Sequence, residues 1–378
     1  MENIEQPFAE LPEALVEEML SKSEEIGTSL YKSYKEILEM KEEIRKQLSD
    51  ERLLKRDSQL SYYSSIPTTC GVDGAYAVEK LLALDFVACA AVAVEGLTPP
   101  SENRHWEKPH HRLFISPERH NPDSGSIIRG LMMEMEIELA VKAPHDIIFL
   151  DGSLTTPLIY LNQAINKVIE LENEQGETEL TAAIKSRFKD FIENYKKILR
   201  SERSDKIWVG IPKYTTKREL GEKFGWPANY DDRAILTNIL EPGEFTQPIP
   251  IAPPSQSWHL KLPTGDITQE FDSILREIHV MYYKPYKWTP ALRIEIASSV
   301  AKNDKRIAIL LNGIRYQCGT PGIFEPYPLY MADRMVKHLG KAMPALIQTT
   351  TKKMIELHKG DIGDIFFNMH GYRTESGR

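Results

Sequence analysis

The chain has 378 residues, a formal net charge of −8 and 41% hydrophobic residues, enough to bury a substantial core in one large domain or in two or three smaller ones. Its three cysteines, Cys70, Cys89 and Cys318, are too few and too scattered for a zinc knuckle or a disulfide framework, and they point to a reducing, cytoplasmic setting. The longest uncharged apolar run, Phe86 to Val94, is about half of a membrane span, and Met1 to Glu10 lacks the parts of a signal peptide, so no membrane or export role is expected.

Leu11 to Leu54 is charged and reads as helical, with Leu30, Tyr34, Ile37, Ile44 and Leu48 three, four or seven residues apart. Residues 1–60 are therefore expected to form a helical arm whose apolar stripe packs on its own domain or meets a second copy or a partner. From Ile66 the texture changes to strands, expected over Thr69 to Tyr76, Leu82 to Val94 and, after a His-rich loop from Thr98 to His111, Arg112 to Ile115. A helix is expected from Ser126 to Lys142, capped by Asp123 or Ser124 and ended by Pro144, before a short buried strand from Ile147 to Leu150. A helical insertion over about 158–205 includes an amphipathic run through Ile184, Phe188, Phe191, Ile192, Tyr195, Ile198 and Leu199, and Ile207 to Ile211 adds a fifth strand. Pro242 to Pro263 reads as a long loop or docking arm, Leu292 to Ile296 as a further strand, and Gly371 to Arg378 as a disordered end to a tail over 346–378. The main domain spans 61–345.

Asp73 and Asp151 each head an Asp-Gly pair at the close of an apolar run, in Gly71-Val72-Asp73-Gly74 and Phe149-Leu150-Asp151-Gly152. A carboxylate on the last residue of a buried strand is held rigidly at the sheet rim, and the following glycine lets the backbone turn away. The order strand, strand, strand, helix, strand, with acidic groups on the first strand, the helix and the fourth strand, is that of the ribonuclease H-like fold and its metal-dependent nucleases. Phosphodiester hydrolysis there uses two hard divalent ions, magnesium or manganese, about 3.5–4 Å apart and held by carboxylates. On the helix, Glu134 and Glu138 share a face and Glu136 points elsewhere. Glu134 is the favoured ligand, because a glutamate in so apolar a helix is costly unless paired or metal-bound; Glu136 and Glu138 stay open, as does a solvated face for all three.

Gly71-Val72-Asp73-Gly74, the helix glutamate, Asp151-Gly152-Ser153-Leu154, Ile211-Pro212-Lys213, and Tyr327-Pro328-Leu329 followed by Ala332-Asp333 resemble, in that order over residues 69–339, the NurA nuclease family. The resemblance implies a ribonuclease H-like core, a homodimeric manganese-dependent nuclease acting on DNA ends, and cooperation with the HerA-like hexameric ATPase in end processing or defence against foreign DNA. It matches Asp73, Glu134 and Asp151 to the family's metal carboxylates. Asp333 stands where many members have a His; it can ligate a hard ion but cannot act as an imidazole acid. His338 is a possible substitute, and pairing with Arg334 or Lys337 is the bland alternative for Asp333.

Lys213, at the end of the fifth strand, is expected to hold a scissile or flanking phosphate, a solvated strand-end lysine being the bland alternative; Arg293 is a candidate for contact with substrate or with an active-site carboxylate, and Tyr327 for contact with substrate. Between Lys185 and Arg218 eleven basic residues face four acidic ones, a candidate track for the DNA backbone that a solvated helix face would also show. Tyr282, Tyr283, Tyr286 and Trp288, interleaved with Lys284 and Lys287, read first as a structural strand and second as a base-stacking surface. Two rivals are weighed: an actin-like phosphotransferase, which lacks a glycine-rich phosphate loop after Gly152, and a partner-binding subunit with a decayed site, which the retained carboxylates argue against.

Overall fold

The computed structural model describes residues 10–371 apart from 62–64, 98–104, 107–109, 252–260 and 263–264. The expected His-rich loop, the middle of the expected 242–263 loop and the tail 372–378 fall largely outside these residues.

Among the described residues ten strands form one mixed sheet: β1 (Leu54–Arg56), β2 (Thr69–Lys80), β3 (Asp85–Glu95), β4 (His110–Glu118), β5 (Ile147–Asp151), β6 (Ile207–Ile211), β7 (Glu244–Thr246), β8 (Ile249–Pro250), β9 (Ile278–Lys284) and β10 (Leu292–Ala297). Their order is β1-β7-β9-β10-β6-β5-β2-β3-β4, with β8 beside β9. β2, β3 and β4, the three strands expected in succession, form an antiparallel meander; β5 pairs with β2 in parallel, and β6 with β5. That block, β4-β3-β2-β5-β6, has the ribonuclease H-like order.

The Asp-Gly pair in β2 does not close its strand, as expected from sequence, because β2 runs on through Lys80 as one arm of a long hairpin with β3. What ends at this point is the parallel ladder: Val72 pairs with Leu150 as the last β2–β5 partners, leaving Asp73 and Asp151 side by side just beyond. β5 does stop at Asp151, and Gly152, at a φ of 99°, makes the turn that only glycine adopts cheaply.

Alternation along β2 and β5 sorts side chains to two faces. Cys70, Val72, Ile148 and Leu150 join the core on the side of α4 (Ser124–Lys142), α5 (Thr156–Gln175) and α6 (Glu179–Arg200). Ile147 and Phe149 pack on the other side, with α11 (Asp304–Gln317) and α12 (Tyr327–Val336). By the same alternation Asp73 and Asp151 emerge on the α12 side.

Helix α12 lies against β2, and Gly71 makes that approach possible: a Cβ there would stand 2.4 Å from the Leu329 nitrogen and the Pro328 carbonyl carbon. The helix begins with Pro328 in its first turn and buries Pro328, Leu329, Ala332 and Val336, which brings Asp333 to the sheet rim one step off the buried stripe.

The described part of the N-terminal region forms three helices, α1 (Glu10–Ser21), α2 (Ser23–Glu39) and α3 (Lys41–Asp50). Ile37, Ile44 and Leu48 are buried in the main core, and Arg45 pairs in bidentate fashion with buried Glu244 at 2.8 and 2.9 Å. Leu15, Val16, Met19, Leu20, Leu30 and Tyr31 are exposed. At the other end, residues expected as a tail form α13 (His338–Leu357) and α14 (Ile362–Asn368), whose Met343 and Ile365 pack, with Met369 just after α14, on Leu81, Phe86 and Ala88 of the β2–β3 hairpin. The short helices α7 (Glu219–Phe224), α8 (Asp232–Ile239), α9 (Gly265–Arg276) and α10 (Ser298–Ala301) complete the chain.

Gly71→Ala is expected to cost about 2 kcal/mol of stability, because neither backbone can yield without lifting α12 off β2. Urea unfolding checks this; an unchanged midpoint would show that the contact is slack.

Candidate metal centre

Asp73, Asp151 and Asp333 each offer a carboxylate oxygen within 4.8 Å of the others. They come from the middle of β2, the end of β5 and the second turn of α12, and the strand register and the Gly71 contact together make them meet. The Gly74 N–H donates to the Asp73 carboxylate at 2.8 Å, fixing its direction.

Lys213, two residues past β6, sits among these groups. Its ammonium is 3.0 Å from Asp151, 3.3 Å from Glu325 and 3.5 Å from Asp333, and Asp333 also accepts from Lys337 at 2.7 Å. Burial penalises the charge on Lys213, but Asp151 and Glu325 outweigh it and hold the pKa above the usual lysine range. The opposite pressure acts on the acids. Burial first, and then the neighbouring Asp151, push the Asp73 carboxyl up to about 7, and burial likewise raises Asp151 and Glu325. Asp333 is held below the ordinary value, because Lys337 and Lys213 outweigh its burial.

The three helix glutamates separate cleanly. Glu134, the sequence-based choice, is buried toward α6 and pairs with Arg187 at 3.0 Å, away from the aspartates. Glu138 is gripped by Arg112 of β4 through two 2.8 Å bonds, which hold its carboxyl down at about 2. Glu136 is the one that reaches the site. Its carboxylate lies where a Cβ on Gly74 would be, 2.4 Å away, so the glycine after Asp73 makes room for it rather than turning the chain. Burial, then Asp73 and Asp151, raise its pKa well above the usual range.

Other sequence candidates fall outside. Arg293 is 1% exposed and spends its guanidinium on Glu219, through two 2.7 Å bonds, on Glu295 at 2.9 Å and on the Tyr282 hydroxyl at 2.8 Å, so it is placed to hold structure rather than substrate. It acts on the site at one remove, since Glu295 accepts from Ser153 at 2.6 Å and from the Leu154 N–H at 2.9 Å, anchoring the turn after Asp151. Tyr327 starts α12 without lining the cleft, and Tyr330 lines it instead. His338 is exposed and is not among the cleft residues. Tyr282 and Tyr283 are fully buried, as the structural reading of that segment requires. Much of the basic track is engaged within the protein: Lys185 with Glu172, Arg187 with Glu134, Lys196 and Arg200 with Glu270, and Arg203 with Asp205. Glu325 escaped the sequence reading, because a lone glutamate in a loop carries no periodic or motif signal.

The sheet order and the acidic cluster at its parallel rim place the chain in the ribonuclease H-like class. Within that class it belongs to the NurA family: the family model, described as a NurA domain, matches residues 67–338. Among solved structures, the NurA nuclease from Sulfolobus solfataricus is similar with a TM-score of 0.60 and 16% identity, covering 90% of this chain and 98% of that one. A structure described as NurA with manganese is similar at a TM-score of 0.52 and 15% identity, over 85% of this chain and 98% of its own. A further NurA structure gives a TM-score of 0.52 at 14% identity, over 89% and 99%. At these identities the likeness is one of fold. No functionally curated protein matches the sequence.

The raised Asp73 pKa has a stability consequence. Folding holds this proton on Asp73 more tightly than the unfolded chain does, so the contribution of Asp73 to the stability of metal-free protein falls as pH rises from about 3.8 to about 7 and is flat above. Asp73→Asn is therefore expected to raise the melting point of metal-free protein at pH 8 by on the order of 2 °C, a gain that shrinks as pH falls through this window. Calorimetry in the presence of a chelator checks it, and a destabilised variant at pH 8 would contradict it.

Proposed function

We propose that the chain is a metal-dependent nuclease that hydrolyses phosphodiester bonds of DNA. The observation that carries this reading is the convergence of Asp73, Asp151 and Asp333 within 4.8 Å at the rim of a ribonuclease H-like sheet, in a chain of the NurA family. The donor set fits a hard divalent ion, manganese or magnesium, because every ligand atom is a carboxylate oxygen. The fit also has an electrostatic side: a carboxyl that burial first and then the neighbouring Asp151 push up to about 7 is a group whose charge a divalent cation would stabilise.

In this reading Asp73, Asp151 and Asp333 hold the metal, and Glu136, not Glu134, supplies the helix carboxylate. When bound, the metal supplies activation of water and neutralisation of charge on the leaving oxygen. The protein groups do the rest. Lys213 presents a cation to a phosphate oxygen while balancing the acidic cluster, and Glu325 holds that ammonium in place. The Glu295–Ser153 and Glu295–Leu154 bonds keep Asp151 from drifting with its loop.

We further propose that the enzyme works as a homodimer with a HerA-like hexameric ATPase. The support is the family membership, the lack of a Walker-type phosphate loop in this sequence, and the exposed apolar residues Leu15, Val16, Met19, Leu20, Leu30 and Tyr31 on α1 and α2. Among the described residues no helix is long and apolar enough to cross a membrane.

Asp151→Asn is expected to abolish manganese-dependent degradation of end-labelled DNA, and Glu136→Gln to lower its rate on the order of 100-fold or more, whereas Glu134→Gln leaves it largely intact. Loss on substituting Glu134, with Glu136→Gln active, would restore the sequence-based assignment. Full activity of Asp151→Asn would remove the mechanism. Leu20→Glu combined with Leu30→Glu is expected to yield monomers in light scattering, and an unchanged mass would remove the arm from the dimer contact.

A further inference from the structure

The acidic cluster lies in a cleft of about 990 Å³, at the top of the roughly 300–1,000 Å³ range of small-ligand pockets and large enough for a stretch of polymer. One wall of this cleft is the loop Pro212 to Lys217. At its tip Tyr214 is 95% exposed, although it directly follows Lys213, whose side chain is drawn into the carboxylates. An aromatic ring so exposed contributes nothing to the core, and the hydrophobic effect disfavours its hydration. The loop that carries it is nonetheless tied down at both ends. The Lys213 carbonyl accepts from Arg233, which also donates to the Ala291 carbonyl at 3.2 Å, and the Lys217 carbonyl accepts from the Asp232 N–H at 3.2 Å. Within the loop, Thr215 Oγ1 accepts from the Lys217 N–H at 3.0 Å. A fixed loop thus presents a free ring between two lysines at the mouth of the site.

The lining of the cleft includes a second aromatic, of different character. Tyr160 lines the cleft, and its ring is held by the Arg129 guanidinium, 4.8 Å from its centroid and 5.0 Å from that of Tyr76, whose hydroxyl Arg129 also contacts. Met132, Met133 and Ile159 continue this side as an apolar surface. The cleft therefore combines an apolar, aromatic surface, a basic loop and the acidic cluster. A nucleotide strand has a matching set of properties: base faces, phosphates, and a scissile bond that must reach the carboxylates.

We propose that Tyr214 is a base-stacking platform that receives a base next to the scissile phosphate, with Lys217 beside it for the neighbouring phosphate, and that it selects DNA whose bases are unpaired at the cut. The selectivity follows from geometry. A base inside a duplex has both faces covered by its neighbours, so an edge-mounted ring can stack only on a base that is unpaired or terminal. This inference rests on the nuclease reading above and deepens it by naming the substrate form.

The test uses the full chain carrying Asp151→Asn, so that bound DNA is not cut, and oligonucleotides with 2-aminopurine, whose fluorescence is quenched by stacking. With this parent, single-stranded oligonucleotide is expected to bind with quenched fluorescence. Adding Tyr214→Ala is expected to abolish the quench and raise the single-strand Kd about fivefold or more, the size of one lost stacking contact. Tyr214→Phe is expected to keep both, and duplex affinity is expected to stay unchanged in all three proteins. Circular dichroism confirms the fold, which an exposed position leaves intact. Unchanged quench and affinity in Tyr214→Ala, or an equal loss on duplex, overturns the stacking role while leaving the nuclease reading standing. A parent protein that binds neither form of DNA overturns both.

Discussion

The structure turns on the crowding of carboxylates around one lysine at the open edge of a parallel ladder. Asp73, Asp151, Asp333 and Glu325 converge from four separate places in the chain, Glu136 reaches in from the opposite face of the sheet, and Lys213 is the cation in their midst. Such a group is costly to assemble. Burial and mutual repulsion raise Asp73, Glu136, Asp151 and Glu325, and a fold has no reason to keep so many like charges together unless something positive is to be held there.

The rest of the molecule keeps that group in place. Parallel register puts Asp73 beside Asp151. Two glycines bring in the other acids, Gly71 by letting the start of α12 touch the strand and Gly74 by leaving space for the Glu136 carboxylate. Behind the site, the fully buried Arg293 ties Glu219 and Tyr282 to Glu295, which in turn holds the turn at Ser153 and Leu154. A buried charge network of this kind adds little net stability but is expensive to disturb by halves, which suits it to fixing geometry. The α7–α8 region, through Glu219 and the Arg233 contact to the Lys213 carbonyl, is thereby coupled to the wall of the cleft.

Much of this was legible in the sequence. The strand–strand–strand–helix–strand order, the fifth strand, and the aspartates at positions 73 and 151 could be read because apolar runs ending in Asp-Gly carry both a periodic and a local signal. Which helix glutamate faces the aspartates could not. α4 is buried nearly all round, so its hydrophobic pattern has no phase that says which face meets the sheet, and the surroundings of each glutamate are set by tertiary packing: Glu134 pairs with Arg187 and Glu138 with Arg112, whereas Glu136 is set against Asp73 and Asp151, which repel its charge. Arg293 was recognised as a strand residue able to meet a carboxylate of the site, as it does at Glu295, but its bidentate partner Glu219 was not, since nothing local shows that Glu219 comes to lie beside it. Glu325 and Tyr214 lie in loops, where position comes from what the loop is tied to rather than from its own residues.

The most direct measurement is anomalous diffraction from crystals of the protein soaked in manganese. The account predicts a peak among the carboxylates of Asp73, Asp151 and Asp333, with Glu136 beside it and Glu134 still on Arg187. A protein that takes up no manganese at this position, or binds it at Glu134 instead, would contradict the account at its centre.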